Sequence, residues 1–198
     1  MVTSRFGGVS TGDCASFNFS YARDTSREAV DENFRRAAGV FGTTSDAFVC
    51  SDQTHTTNIR RVEKEDAGKG VTKEKDYRDV DGLITNVPGL ILGTFYADCV
   101  PLLFVDPVHH AIGCSHSGWR GTVGEMGKKT VEAMREAYGS CPEDIFAAIG
   151  PSICQDCYEV GKDVAEPFEK LFSQERYQDV SMKNILTEKV NGKYQLDL

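Results

Sequence analysis

The chain has 198 residues, 40% of them hydrophobic and 10% aromatic, which is enough apolar material for one proper core and excludes both disorder and a small disulfide scaffold. Its 22 Lys and Arg stand against 30 Asp and Glu, a formal charge of −8 with no basic block to follow a phosphate backbone, so nucleic acid is not an expected partner. The most apolar stretch, 90–105, is broken by Asp98 and Pro101 and is too short to span a bilayer, and the first five residues lack a signal-peptide core, so a cytoplasmic protein without a membrane partner is expected.

In chain order, Thr25-Ser26-Arg27-Glu28 reads as a capping box, and Val30, Phe34, Ala37 and Ala38 follow at helical spacing until Gly39. Residues 47–50 and 58–62 read as strands separated by the polar run Ser51-Asp52-Gln53-Thr54-His55. Residues 63–79, rich in Lys and Glu, read as a solvated surface loop. Four short strands follow at 83–85, 90–96, 101–105 and 111–115, punctuated by Pro88-Gly89 and Asp106-Pro107. After Gly118-Trp119-Arg120-Gly121 the pattern predicts a second helix with Val123, Thr130, Val131, Met134 and Ala137 on one face, ending before Gly139. Residues 145–149 read as a buried strand, 164–172 as a third helix with Pro167 in its first turn, and Asn191-Gly192 as a tight hairpin. Strands in consecutive runs rather than strict βαβ alternation predict an α+β fold.

Three segments place a reactive side chain at the end of a predicted strand: Gln53-Thr54-His55, Asp98-Cys99-Val100 and Ser115-His116-Ser117. Their wide spacing rules out a zinc-finger knuckle and suits a site assembled from distant strands, in which a thiolate and two imidazoles hold Zn²⁺ with a fourth position open. Each also has a plainer reading, Cys99 as a small core residue and either His as the partner of a nearby carbonyl. Asp98 is a candidate to orient a ligand or base. Arg120, between two glycines, offers a planar fork suited to phosphate or carboxylate, or pairs with a surface acid. Arg5, ahead of Gly7-Gly8-Val9-Ser10, is a second cation beside a Gly turn. His109-His110 reads as a solvated turn. The odd count of seven cysteines favours free thiols and metal ligands over disulfides, and Cys154-x-x-Cys157 reads as structural, with a redox pair as the alternative.

Together these segments resemble the laccase-domain family, also called multicopper polyphenol oxidase or peptidoglycan editing factor, of the purine nucleoside phosphorylase type. The resemblance runs through Ser4-Arg5-Phe6-Gly7-Gly8-Val9-Ser10, Gln53-Thr54-His55, Asp81-Gly82-Leu83-Ile84-Thr85, Ala97-Asp98-Cys99-Val100-Pro101, His116-Ser117-Gly118-Trp119-Arg120-Gly121, Ile149-Gly150-Pro151-Ser152-Ile153 and Cys157-Tyr158-Glu159-Val160. It implies an α-β-β-α sandwich of mixed sheets with flanking helices. It also implies a metal and catalytic site at His55, Cys99 and His116, and substrates that are small nucleosides and inorganic phosphate. Residues 1–198 are then one laccase-like domain, shortened at the C-terminus relative to family members that continue through a further helix and a last motif.

The expected function is metal-dependent phosphorolysis of inosine or adenosine, with adenosine deamination and methylthioadenosine cleavage as related activities. Zn²⁺ is the expected cofactor. Copper, which the family name suggests, would need far more than the four histidines present for a laccase's multi-copper set. Arg120 and Arg5 are the candidate phosphate clamps. Two other classes stand beside this: a metal-free hydrolase or deamidase with Cys99 as nucleophile and His116 as base, and a non-catalytic metal-binding protein.

Overall fold

The computed structural model describes residues 1–24 and 26–198. In chain order it contains α1 (Arg27–Val40), β1 (Phe48–Cys50), β2 (Ile59–Arg61), β3 (Gly82–Thr85), β4 (Ile91–Gly93), β5 (Val100–Asp106) and β6 (Ala111–Ser117). There follow α2 (Trp119–Val123), α3 (Met126–Tyr138), β7 (Phe146–Ile149), β8 (Glu159–Val160), α4 (Lys162–Phe172), α5 (Met182–Ile185), β9 (Leu186–Glu188) and β10 (Tyr194–Leu196). The α+β class is as expected.

The layers follow from the period-two alternation of the strands. In β1, Phe48 and Cys50 face α1 with Val30, Phe34, Ala37 and Ala38, while Val49 between them faces the other way. β1 pairs in parallel with β4, whose Ile91 also lies toward α1 and whose Leu92 lies beside Val49. A second, mixed sheet runs in the order β2-β3-β6-β5-β7. Its Leu83, Leu103 and Cys114 meet Val49 and Leu92 in a core between the sheets, and its Ile84, Leu102 and Phe104 pack against Met134 of α3 on the far face. The succession α1, small sheet, large sheet, α3 is the α-β-β-α arrangement. A third sheet, β8-β10-β9, closes with α4 around Phe168 and Leu196, and the Asn191-Gly192 turn joins β9 to β10 with Gly192 at φ +71°.

Four local expectations are corrected, and a fifth lies outside the described residues. The N-cap of α1 is Ser26, whose Oγ accepts from Ala29 N–H at 3.1 Å; Thr25, and with it the predicted box, lies outside the described residues. The 63–79 segment is not a solvated excursion: Val71 and Tyr77 are buried, Tyr77 donates to the Cys50 carbonyl at 2.6 Å, and Lys69 bridges Asp66 and Asp76. Its backbone bonds to β1 through Gly68 N–H to Phe48 and Lys69 C=O to Cys50, so its charges decorate a loop pinned along a strand edge.

The predicted second helix is two helices. Glu125 takes φ +58° and its carboxylate accepts from Tyr177 and Arg176, which turns the chain between α2 and α3. Val123 accordingly joins the Phe168 core rather than the face of Met134. The strand at 145–149 is exposed, not buried: β7 is the sheet's edge, with Phe146 71% and Ile149 75% accessible. Finally, α4 starts at Lys162, which puts Pro167 in the second turn instead of the first, where it withholds one N–H from the helix ladder.

Candidate metal and active site

Sheet register assembles the site. In the antiparallel β5–β6 pair Val100 faces Ser117 and Pro101 faces His116, so Cys99, one residue before β5, lies across from Gly118, one residue after β6. A Cβ on Gly118 would stand 2.9 Å from both Cys99 Sγ and His55 Cδ2, so only glycine lets the backbone pass this close to the pair. On the other side of β6, Gly82 faces Ser115, and His116 N–H donates to the carbonyl of Asp81 at 2.8 Å.

His55, Cys99 and His116 converge: their ligand atoms all lie within 4.8 Å of one another. Cys99 Sγ is 3.8 Å from His55 Nε2, and the two imidazole rings meet edge to face with centroids 4.9 Å apart. Among the described residues this is the one group of three or more His, Cys, Asp or Glu whose ligand atoms gather in this way. Burial is graded across it, from exposed His55 through half-buried Cys99 to buried His116, so the cluster faces solvent on the His55 side.

The residue that holds the cluster together was not among the candidates. Asp81 is fully buried and accepts five hydrogen bonds: from the N–H groups of Thr54, His55 and Thr56, from Thr56 Oγ1, and from His116 Nδ1 at 2.8 Å. The three backbone donors clamp the turn in which His55 takes φ +65°, a conformation disfavoured for a residue with a Cβ. The ring bond sets the His116 tautomer, placing the proton on Nδ1 and a lone pair on Nε2. Burial works to raise the Asp81 pKa, but the donors, His116 first, hold it below the usual carboxylate value. Burial also lowers the pKa of His116 despite the Asp81 carboxylate, which favours the neutral ring. Cys99 is pushed the other way, above the ordinary thiol value, by burial and then by the charges of Asp98 and Asp81. The sequence signal for Asp81 was an acid standing directly before a largely apolar strand.

Asp98, the acid suggested as an orienting group, is exposed, and among the described residues no hydrogen bond or ion pair joins its side chain to the cluster; its carbonyl receives Ile153 N–H at 2.9 Å. Arg120 is exposed on α2, its guanidinium 4.2 Å from the Trp119 ring centroid, and no ion pair engages it among the described residues, so the surface-acid reading fails. Trp119 itself packs on the Phe168 core, which fixes the platform under the cation. Arg5 is elsewhere: its side chain lies over Phe6, and its carbonyl accepts from Ser16 and Phe17 in a turn that Asn33 of α1 ties down. No hydrogen bond, ion pair or ring contact joins Arg5 to the cluster among the described residues. His109 is not simply solvated, since its Nδ1 lies 2.8 Å from Asp106 Oδ2.

The family model for the multi-copper polyphenol oxidoreductase laccase matches residues 1–198. The chain belongs to that family. Over 198 residues it is 36% identical to the purine nucleoside phosphorylase YlmD of Bacillus subtilis, a match covering 99% of this chain and 68% of that protein. It is 35% identical over 179 residues to the adenosine deaminase RL5 of an unknown prokaryotic organism, covering 90% of this chain and 65% of that one. Among solved structures it is similar to YlmD from Geobacillus stearothermophilus, with a TM-score of 0.85 at 33% identity, over 98% of this chain and 70% of that chain. The chain thus spans about two thirds of the length of these laccase-family relatives.

Two imidazoles and a thiolate form a donor set that fits one borderline-soft ion, and the Asp81–His116 bond is the outer support that such a ligand needs. The family's descriptive name implies several coppers, but His109 and His110 lie at the far end of the β5–β6 hairpin, so only two of the four histidines reach the cluster.

Proposed function

We propose that this chain carries the catalytic site of a cytoplasmic, Zn²⁺-dependent purine nucleoside phosphorylase, with the ion held by His55, Cys99 and His116. The observation that carries the reading is the convergence of these three ligands on a buried, fully bonded Asp81, in a chain whose relatives include a purine nucleoside phosphorylase. Among the described residues no helix is long and apolar enough to cross a membrane, which is compatible with the assigned compartment.

Held by His55, Cys99 and His116, Zn²⁺ would supply Lewis acidity when bound. The chain's own residues supply the rest. Asp81 keeps the proton of His116 on Nδ1, so that Nε2 stays available as a ligand atom. In phosphorolysis, inorganic phosphate attacks the ribose C1′ as the bond to the base breaks and positive charge builds on the sugar. The entering anion needs a fixed cation, and Arg120, stacked on Trp119 and free of ion pairs among the described residues, is the clamp in this reading. Arg5, whose contacts keep it on the N-terminal turn, is tested by the same substitution to Ala. Methylthioadenosine presents the same glycosidic bond.

The deaminase relative favours a second reaction at the same site, with water replacing phosphate and the purine ring replacing the sugar as the centre attacked. A Cys99 nucleophile fits less well, because burial and two neighbouring carboxylates raise its pKa where a thiolate nucleophile needs a cation.

The test is chromatography of inosine products with and without inorganic phosphate, on protein whose metal content has been measured. Hypoxanthine with ribose phosphate, formed only when phosphate is supplied, is the expected result. Equal base release in phosphate-free buffer, with free ribose, overturns the phosphorylase in favour of a hydrolase. One equivalent of tightly held metal without turnover of inosine or adenosine points to the non-catalytic metal-binding class.

A further inference from the structure

Outside the cluster, two thiols stand three residues apart at the surface. Cys154 and Cys157 are both exposed and both free, which corrects the expectation that they are structural. They bracket a single 3₁₀ turn, Gln155–Cys157, closed by the Cys157 N–H on the Cys154 carbonyl at 3.0 Å. Cys154 is the N-cap of that turn and Cys157 its last residue, so one thiol stands at each end of a single turn. The turn also brings the first and fourth Cα atoms within about 7 Å, close to the roughly 4.4–6.8 Å that a disulfide spans. The neighbouring Cys157 thiol lowers the pKa of Cys154, while that of Cys157 is raised by Cys154.

The turn is strapped on both sides. Upstream, Gly150 N–H donates to the Pro101 carbonyl at 2.8 Å and Ile153 N–H to the Asp98 carbonyl at 2.9 Å, so the segment runs beside the start of β5, where Cys99 stands. Downstream, Gln195 Nε2 donates to the Asp156 carbonyl at 2.7 Å and Leu196 N–H to the Tyr158 carbonyl at 3.0 Å, tying the same turn to β10.

We propose that Cys154 and Cys157 are a reversible thiol–disulfide pair, oxidised by small-molecule disulfides, whose closure braces segment 150–158 against the strand that leads from Cys99. The Cys154 thiolate attacks one sulfur of the small disulfide, forming a mixed disulfide and expelling one small thiolate. Cys157 then attacks Cys154 Sγ and expels the second. Two protein thiols are oxidised, one small disulfide is reduced to two thiols, and the two protein protons end on those thiols.

The test uses the full chain and oxidised glutathione as the probe. After alkylation of remaining thiols, peptide mapping is expected to find a 154–157 link, lost again on adding reduced glutathione. Hydrogen exchange at the Ile153 amide is expected to slow several-fold in the oxidised protein. Cys157→Ser, which touches none of the proposed metal ligands, is expected to stop at a glutathione adduct on Cys154 with unchanged exchange at Ile153. A stable glutathione adduct on Cys154 in the unsubstituted chain, or linkage through other cysteines instead, overturns the pair; a 154–157 link with unchanged Ile153 exchange overturns the bracing. Neither readout involves turnover, so the outcome is independent of the phosphorylase reading.

Discussion

An Asp–His pair stands near each end of the β5–β6 hairpin, and the two are alike in their immediate chemistry. Asp81 meets His116 Nδ1 and Asp106 meets His109 Nδ1, each at 2.8 Å, and both carboxylates are fully buried and further bonded by backbone N–H groups. They differ in where the partners come from. Asp106 is served by Val108 and His109, its own neighbours in the turn, and so clasps one hairpin end. Asp81 gathers the 54–56 turn and β6 from separate parts of the chain, and the imidazole it orients faces another imidazole and a thiol. An Asp–His bond is therefore not a site in itself; it becomes one where it fixes a ring toward other ligands.

The largest expected effect is at the cluster. Cys99→Ser keeps the side chain's approximate size but gives up a thiolate ligand, so bound Zn²⁺ and turnover are expected to disappear while the thermal melt stays close to that of the unsubstituted chain. Elemental analysis decides it, and retention of one equivalent of metal removes Cys99 from the ligand set.

Asp81→Asn tests the contrast directly. An amide cannot accept five hydrogen bonds: its NH₂ must oppose either the His116 ring, driving that proton to Nε2, or the N–H groups of the 54–56 turn. Metal affinity is expected to fall about 10–100-fold, read by competition with a chromogenic chelator, whereas Asp106→Asn leaves it unchanged. Equal losses in both variants would erase the distinction between the two pairs.

Arg120→Ala is expected to raise the phosphate concentration needed for half-maximal turnover about 10–100-fold, the worth of one or two hydrogen bonds to a charged group, without changing metal content. Arg120→Lys restores part of it, because the charge returns without the fork. Adenosine deamination, which consumes water, is expected to respond little; an equal loss there assigns Arg120 to nucleoside binding.

The smallest effect lies at the hairpin clasp, and it concerns stability. Burial works to raise the Asp106 pKa, but the Ser140 hydroxyl, the N–H groups of His109 and Val108 and the His109 ring hold it well below the usual carboxylate value. The unfolded chain then takes up a proton near the ordinary Asp pKa, about 3.9, that folded Asp106 refuses. Its stabilisation is therefore complete above that pH and is lost as pH falls further, toward the depressed folded value. Asp106→Asn is expected to be somewhat less stable at neutral pH and to show a shallower acid decline, with unchanged turnover. Denaturant melts across the acid range check this, and a decline as steep as that of the unsubstituted chain assigns the acid sensitivity to other carboxylates.

What the sequence by itself determined is what neighbouring residues decide among themselves. The apolar spacing of Val30, Phe34, Ala37 and Ala38 makes α1 whatever surrounds it, the Asn191-Gly192 turn closes β9 onto β10, and His55, Cys99 and His116 were readable as candidates for one site. Only the tertiary structure decided which of these residues meet and what covers them. The apolar run at 145–149 is exposed because β7 is an edge, and no residue within the run records its place in the sheet. The Lys- and Glu-rich 63–79 segment is pinned because Tyr77 finds the Cys50 carbonyl, 27 residues away. The helix after Gly118 breaks because Glu125 finds Arg176 and Tyr177, more than 50 positions downstream. Asp81 belongs with them: an acid at the mouth of a largely apolar strand is legible in the sequence, but the five donors that give it a role come from segments that only the sheet register brings to one place.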